Sequence, residues 1–140
     1  MVKSNLVISR YDGLVASIAI GSNERRVVWQ EKLPGVTSSV YRNNRYYVSA
    51  QNGDVYAYDA SSGKRVWRLV TGTPLSTLTA GETTLFATGN NGEIFAINAS
   101  TGEIRWHDDL GGEILSQPVL GETFLYISTG IHNIYKYRLR

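Results

Sequence analysis

Ala57-Tyr-Asp-Ala-Ser-Ser-Gly-Lys-Arg-Val-Trp67 and Ala96-Ile-Asn-Ala-Ser-Thr-Gly-Glu-Ile-Arg-Trp106 carry one pattern written twice. Each copy leaves a strand-like run after a small residue, turns at Ser-Ser-Gly or Ser-Thr-Gly, and resumes as an outer strand, Lys64 to Leu69 or Glu103 to Asp108, that carries the tryptophan. Asp59 or Asn98 supplies a side-chain acceptor for backbone N–H groups two residues on. Gly63 or Gly102 can take the positive φ that closes such a turn. Apolar positions around both copies recur every second residue, the period of a half-buried strand and not of a helix.

Working outward, Tyr56, Phe95 and Tyr135 recur at the interval that separates the two copies. Upstream, Ile18 precedes Tyr56 and Trp29 precedes Trp67 by nearly the same interval. A second column runs Val7, Tyr47, Phe86 and Tyr126. A third runs Gly13, Gly53 and Gly92, with His132 at the fourth place. Asn52-Gly53 and Asn91-Gly92 predict two-residue hairpin turns with positive φ. Leu85-Phe-Ala-Thr and Leu125-Tyr-Ile-Ser alternate and are rich in aromatic and β-branched residues. Gly81-Glu-Thr and Gly121-Glu-Thr form a further recurrent turn, matched by Arg42-Asn-Asn.

A strand-rich period of about 40 residues is the mark of propeller blades. The expected fold is all-β: four repeats of about 39 residues, each an antiparallel four-stranded sheet, making half of an eight-bladed ring. The chain reads as a single domain, 1–140, with units near 1–33, 34–72, 73–111 and 112–140. Strand counts of three, four, four and three are expected. Met1 to Asn5 is too short for an inner strand, and the last unit stops before its turn and outer strand.

The motif Ala-x-Asp-x-x-Ser/Thr-Gly-x-x-x-Trp resembles the repeat of the PQQ-like, quinoprotein-type β-propellers. The second unit matches from Ala57 through Asp59, Gly63 and Lys64 to Trp67. The third has Asn98 in place of Asp, then Thr101, Gly102 and Trp106. The first keeps Ala19 and Trp29 but has Gly21 and Arg25 at the Asp and Gly places, and the fourth has Lys136 at the small-residue place. The resemblance implies that Trp29, Trp67 and Trp106, with Gly63, Gly102 and Asp59, dock neighbouring blades, in a ring of seven or eight. Family members include quinone-dependent alcohol and glucose dehydrogenases and a subunit of the outer-membrane β-barrel assembly machinery. PQQ and calcium are therefore implied by resemblance alone.

Composition narrows the classes. Of 140 residues 42% are hydrophobic and 19% charged, a globular balance. Fourteen basic against twelve acidic side chains give +2, so no nucleic-acid partner is expected, and the pairs at Arg25-Arg26 and Lys136, Arg138, Arg140 read as solvated charge. With no cysteine, thiolate metal sites, cysteine nucleophiles and a lipidated cysteine are excluded within this sequence. No apolar run reaches the length of a membrane span. Arg10 and Asp12 interrupt the apolar run after Lys3, so no signal-peptide core is read. The expected compartment is the cytoplasm, the alternative being a fragment of a secreted or periplasmic protein.

No catalytic or metal-binding set emerges from the spacing. Asp54, Glu93, Glu82 and Glu122 fall at equivalent turn positions and read as solvated. Asp108-Asp109 reads as a solvent-facing strand end, and His107 and His132 as lone histidines. Candidate ligand contacts lie on one rim, at Gln51, Asn52, Asn90, Asn91, His132 and Asn133, positions suited to a protein or small polar ligand. Asn-Gly is better explained as turn chemistry, which does not account for His132. An arc of four blades would leave two apolar flat faces in water, and at about 25 cal/mol per Å² that forfeits on the order of 10 kcal/mol. A homodimer supplying eight units is therefore expected. The leading functional reading is a non-catalytic binding scaffold. The alternatives are a PQQ- and calcium-binding redox domain and a lectin-like module.

Overall fold

The computed structural model describes residues 4–21 and 24–139, which form strands and turns. The first sheet holds β1 (Ser4–Ser9), β2 (Leu14–Ile20) and β3 (Arg25–Lys32). The second holds β4 (Val36–Arg42), β5 (Arg45–Ala50), β6 (Asp54–Asp59) and β7 (Arg65–Val70). The third holds β8 (Thr77–Ala80), β9 (Thr84–Thr88), β10 (Glu93–Asn98) and β11 (Ile104–Asp109). The fourth holds β12 (Val119–Leu120), β13 (Phe124–Ser128) and β14 (Ile134–Arg138). Within each sheet the strands pair in chain order, all antiparallel. Of the sequence stretches read above, residues 1–3 and Arg140 lie outside the described residues.

Register corrects the alignment of the first unit. Ala57 pairs with Trp67 and Ala96 with Trp106, but Trp29 pairs with Ser17, not Ala19. The small-residue column is thus Ser17, Ala57, Ala96 and Lys136, opposite Val7, Tyr47, Phe86 and Tyr126 on the neighbouring strands. The other column is Ala16, Tyr56, Phe95 and Tyr135, so Ile18 does not belong to it. Counting back from Trp29 failed because the stretch from Ser17 to its partner Trp29 is longer than those from Ala57 to Trp67 and from Ala96 to Trp106. The turn column Gly13, Gly53 keeps the true register.

The turns also differ from expectation. β5 ends at Ala50 and β6 begins at Asp54, leaving a longer loop than a two-residue hairpin. Gly53 N–H donates to the Ala50 carbonyl at 3.0 Å, and Gly92 N–H to that of Gly89 at 3.2 Å. One residue in each of these loops is left-handed: Gly13 (φ 99°), Gly53 (85°), Gly92 (98°) and His132 (66°). This is the loop in which a turn is followed by one positive-φ residue that absorbs the strand twist. The asparagine before each glycine works through its side chain: Asn52 Oδ1 accepts from Asp54 N–H, and Asn91 Oδ1 from Glu93 N–H. Asn43 and Asn44, between β4 and β5, do take positive φ in succession, as a two-residue turn demands.

Alternation decides which residues meet. Val55, Ala57, Trp67 and Tyr47 turn toward the third sheet, where Leu78, Leu85, Phe95 and Ile97 receive them. Tyr46, Val48, Tyr56 and Tyr58 turn the other way, onto Val15, Val7 and Trp29. Phe86, Ile94 and Ala96 meet Leu125, Ile127, Tyr135 and Tyr137 of the fourth sheet. The sheets therefore stack face to face, each interface an apolar layer. Polar ties span the first strands: Leu78 N–H donates to Ser38 Oγ (3.1 Å), and Gln117 Nε2 to the Leu78 carbonyl (2.9 Å).

Candidate functional site

Tryptophan docks one sheet on the next by a repeated device. Trp29 Nε1 donates to the Ala60 carbonyl at 3.1 Å, and Trp67 Nε1 to the Ala99 carbonyl at 3.0 Å. Each ring lies where a glycine has no side chain: a Cβ on Gly102 would sit 2.7 Å from Trp67 Cδ2, and one on Gly63 would enter the Trp29 ring. Asp59 shapes the receiving turn, its Oδ1 accepting from Ser61 N–H, Ser62 N–H and Ser62 Oγ. Those bonds, led by that from Ser62 N–H, hold the Asp59 carboxyl below the usual range. Among the described residues no such turn receives Trp106. It stacks on Tyr137 instead, ring centroids 5.1 Å apart.

At the rim, the second-to-third-strand loops share a side with the links between sheets. Gly53 approaches the Thr73 backbone and Gly92 that of Gly112 so closely that a Cβ would collide. Gln51, Asn52, Asn90, Asn91, His132 and Asn133 are all exposed there. The amides of Asn52 and Asn91 are engaged locally: Asn52 Nδ2 donates to Asp54 Oδ2 (2.9 Å), Asn91 Nδ2 to Glu93 Oε2 (2.8 Å) and Thr73 Oγ1 (3.0 Å). No such side-chain bond ties Gln51, Asn90, His132 or Asn133 among the described residues.

Asp54 is not a solvated turn residue; it is 1% exposed. Its Oδ2 accepts from Arg68 Nη2 (2.6 Å), Arg68 Nε, Tyr56 Oη and Asn52 Nδ2. Burial acts to raise its pKa, but these donors, Arg68 first, outweigh burial and hold it below the ordinary value. The third unit repeats the pair as Glu93 and His107, whose Nε2 lies 3.3 Å from Glu93 Oε1 while its ring stacks on Phe95. Sequence reading missed both pairs. Their signal was an acid and a base at equal separation in successive units, Asp54 with Arg68 and Glu93 with His107. Glu82 behaves as read, exposed and paired with Arg42. Asp108 accepts from Tyr137 Oη (2.7 Å) and Asp109 from Gly111 N–H (2.9 Å).

Calcium needs several converging oxygen donors. No group of three or more His, Cys, Asp or Glu residues gathers among the described residues, and the most buried acid, Asp54, is engaged through Oδ2 by Arg68, Tyr56 and Asn52.

The end faces stand apart from the interior. Tyr126 and Ile134 are 39% and 77% exposed, whereas their column siblings Phe86 and Ile94 are 2% and 0%. At the other end Leu6 is 50% exposed, and its siblings Tyr46, Leu85 and Leu125 are 5% or less. Val27 and Ile20 extend the first face, Val119 the last. Each end face is an interior surface without its neighbour. One residue departs from that pattern: Lys136, in the alanine column, lies with its ammonium 3.7 Å from the Phe124 ring centroid.

The PQQ-like repeat model described as outer membrane protein assembly factor BamB matches residues 1–69 and 51–138. An outer membrane protein assembly factor BamB from Burkholderia pseudomallei (strain K96243) is 31% identical over 104 residues, 66% of this chain and 27% of that protein. The chain thus aligns with about a quarter of that relative's length. The crystal structure of BamB from Moraxella catarrhalis superposes with a TM-score of 0.77 at 20% identity, covering 96% of this chain and 43% of that one. The computationally designed Ika4 protein superposes with a TM-score of 0.86 at 15% identity, covering 100% of this chain and 88% of that one. At these identities the two structures share the fold.

Proposed function

Because the chain belongs to the PQQ-like repeat family described as outer membrane protein assembly factor BamB, we propose that it is a non-catalytic, protein-binding propeller scaffold which self-associates through its end faces. The observation that carries this reading is the contrast within columns: the residue types that are buried between sheets inside the arc are bare at both ends. Covering a side chain such as Ile134 is worth about 1.5–3 kcal/mol. Two copies joined head to tail bring eight units, a number at which propellers close. The exposed rim residues Gln51, Asn90, His132 and Asn133 are a second contact zone in this reading, for a protein or small polar ligand.

The relatives give no support to a cytoplasmic location. The family name points to the outer membrane, and the reading of the chain as part of a periplasmic protein is the one we adopt. No helix among the described residues is long and apolar enough to cross a membrane.

Melting at graded protein concentrations tests the self-association. Association that stabilises the fold raises Tm with concentration, by mass action. The expected result is a Tm that climbs between micromolar and hundred-micromolar protein, and an Ile134→Glu variant whose Tm does not move. A concentration-independent Tm in the unaltered chain contradicts the proposal.

A further inference from the structure

Asp54 with Arg68 and Glu93 with His107 hold the same places in successive units, yet the two sets differ in chemistry. In the second unit Asp54 Oδ2 accepts from Arg68 Nε (2.9 Å) and Nη2 (2.6 Å), from Tyr56 Oη (2.9 Å) and from Asn52 Nδ2 (2.9 Å). A guanidinium is always charged, so the base of that set does not titrate. In the third unit the base is a histidine, and Phe95, which has no hydroxyl, stands where Tyr56 donates. Of these donors only the asparagine amide remains, as Asn91 Nδ2 on Glu93 Oε2 (2.8 Å). His107 completes the set, its Nε2 3.3 Å from Glu93 Oε1. The first unit dispenses with the pair, since register puts Leu14 and Gln30 in these places. The fold itself therefore does not require it.

What hangs on Glu93 is the rim loop. Asn91 Nδ2 donates both to Glu93 Oε2 and to Thr73 Oγ1 (3.0 Å), so acid, loop and inter-unit link are tied at one point. The Thr73 hydroxyl first, then the Asn91 amide, keep the Glu93 carboxyl below its ordinary value, and it is charged wherever imidazole titrates. The His107 ring lies on Phe95, with 4.4 Å between centroids and 11° between planes. An aromatic face attracts a cation, so ring and carboxylate both favour the protonated imidazole. Asp109, the register partner of Glu93, adds a second carboxylate on the same face. Asp108 is turned to the other face and accepts from Tyr137 Oη, and Arg105 reaches Thr84 Oγ1 at the start of β9. From the facing sheet come Val55, Ala57, Trp67, Leu69 and Tyr47, whose hydroxyl lies on the Ala99 carbonyl. None of them is charged, nor is any residue of the link 71–76.

We infer that Glu93 and His107 form a proton-operated clasp on the rim loop of the third unit. Below the imidazole range His107 is charged, pairs with Glu93 as an ion and fixes Asn91 over Thr73. As pH rises through that range the charge is lost, and the pair falls back to a neutral hydrogen bond of about half the strength. The loop from Gly89 to Gly92 then loosens. The matching loop of the second unit, held by Arg68, does not respond. Asn90 and Asn91 lie on the clasped loop, so contact at the rim is tightest in acid. That consequence rests on the rim as a contact zone; the clasp does not.

Amide hydrogen exchange on the whole chain, expressed as protection factors corrected for intrinsic rates, reads the loop directly. Between about pH 5.5 and about pH 8, Gly92 and its neighbours are expected to lose protection about fivefold, and Gly53 and its neighbours none. His107→Arg is expected to keep the acid value at both pH values, and His107→Gln the lower value at both. Equal protection of the Gly92 loop at the two pH values in the unaltered chain would overturn the inference. So would the same loss at Gly53, which marks a change in the whole fold, or a pH response that survives in His107→Gln. If either variant fails to fold, the comparison of the two loops within the unaltered chain decides alone.

Discussion

Trp67 and Gly102 form the smallest unit of this architecture: an indole that needs a bare backbone to lie against. Gly102 has φ 80° and no room for a Cβ, so Gly102→Ala faces both strain and collision. The expected loss is about 2–4 kcal/mol, read as a shift in urea midpoint at unchanged slope. Asp54 is the corresponding polar point. Asp54→Asn removes the charge that Arg68 answers and is expected to cost about 2 kcal/mol. The sign of the pH effect follows from the lowered carboxyl pKa. Its stabilisation is complete above the unfolded-state value of about 3.9 and is lost as pH falls through the folded value, below that. Acid titration of stability should therefore be flatter in the variant below about pH 4. Trp67 and Trp106, with Gly63 and Gly102, stood out in the sequence because a turn of fixed spacing precedes each of those two tryptophans. Asp54 was not, because an acid beside Asn-Gly looks like any solvated turn until its partner on the neighbouring strand is known. His132 was legible as an exception: it carries the left-handed φ that glycine carries elsewhere.

Strands and turns show where periodicity suffices and where it slips. Alternation over β5, β6, β9 and β10 marked the strands and their faces, since one face of each had to be apolar toward each neighbouring sheet. Spacing in the first unit misled, because the longer stretch between the paired Ser17 and Trp29 put Ala19 at the place that register gives to Ser17. Ser17 is fully buried and its hydroxyl has no partner among the described residues. A buried unpaired hydroxyl is costly, and alanine occupies the same column in the second and third units. Ser17→Ala is thus expected to raise stability by about 1 kcal/mol in urea unfolding. A loss of that size would mean that the hydroxyl is bonded and the first unit packs differently. Hairpin type was only half legible: Asn-Gly announced a turn, but its loop length depends on where the ladder closes.

The whole molecule is an arc whose inner interfaces rehearse the ones its ends lack. Repetition along the chain was enough to say that four sheets stack. Only exposure within columns tells which faces are waiting for a neighbour, as Tyr126 and Ile134 show against Phe86 and Ile94. Lys136 is the obstacle at one end, a charge where siblings have alanine. Lys136→Ala should accordingly tighten self-association by about tenfold, roughly 1.4 kcal/mol, in sedimentation equilibrium. Light scattering on the unaltered chain tests the account most directly. Pairing of end faces predicts twice the 15.5 kDa of one chain at micromolar concentration, falling to the single-chain mass in Ile134→Glu. A mass of 15.5 kDa for the unaltered chain across that range would contradict it.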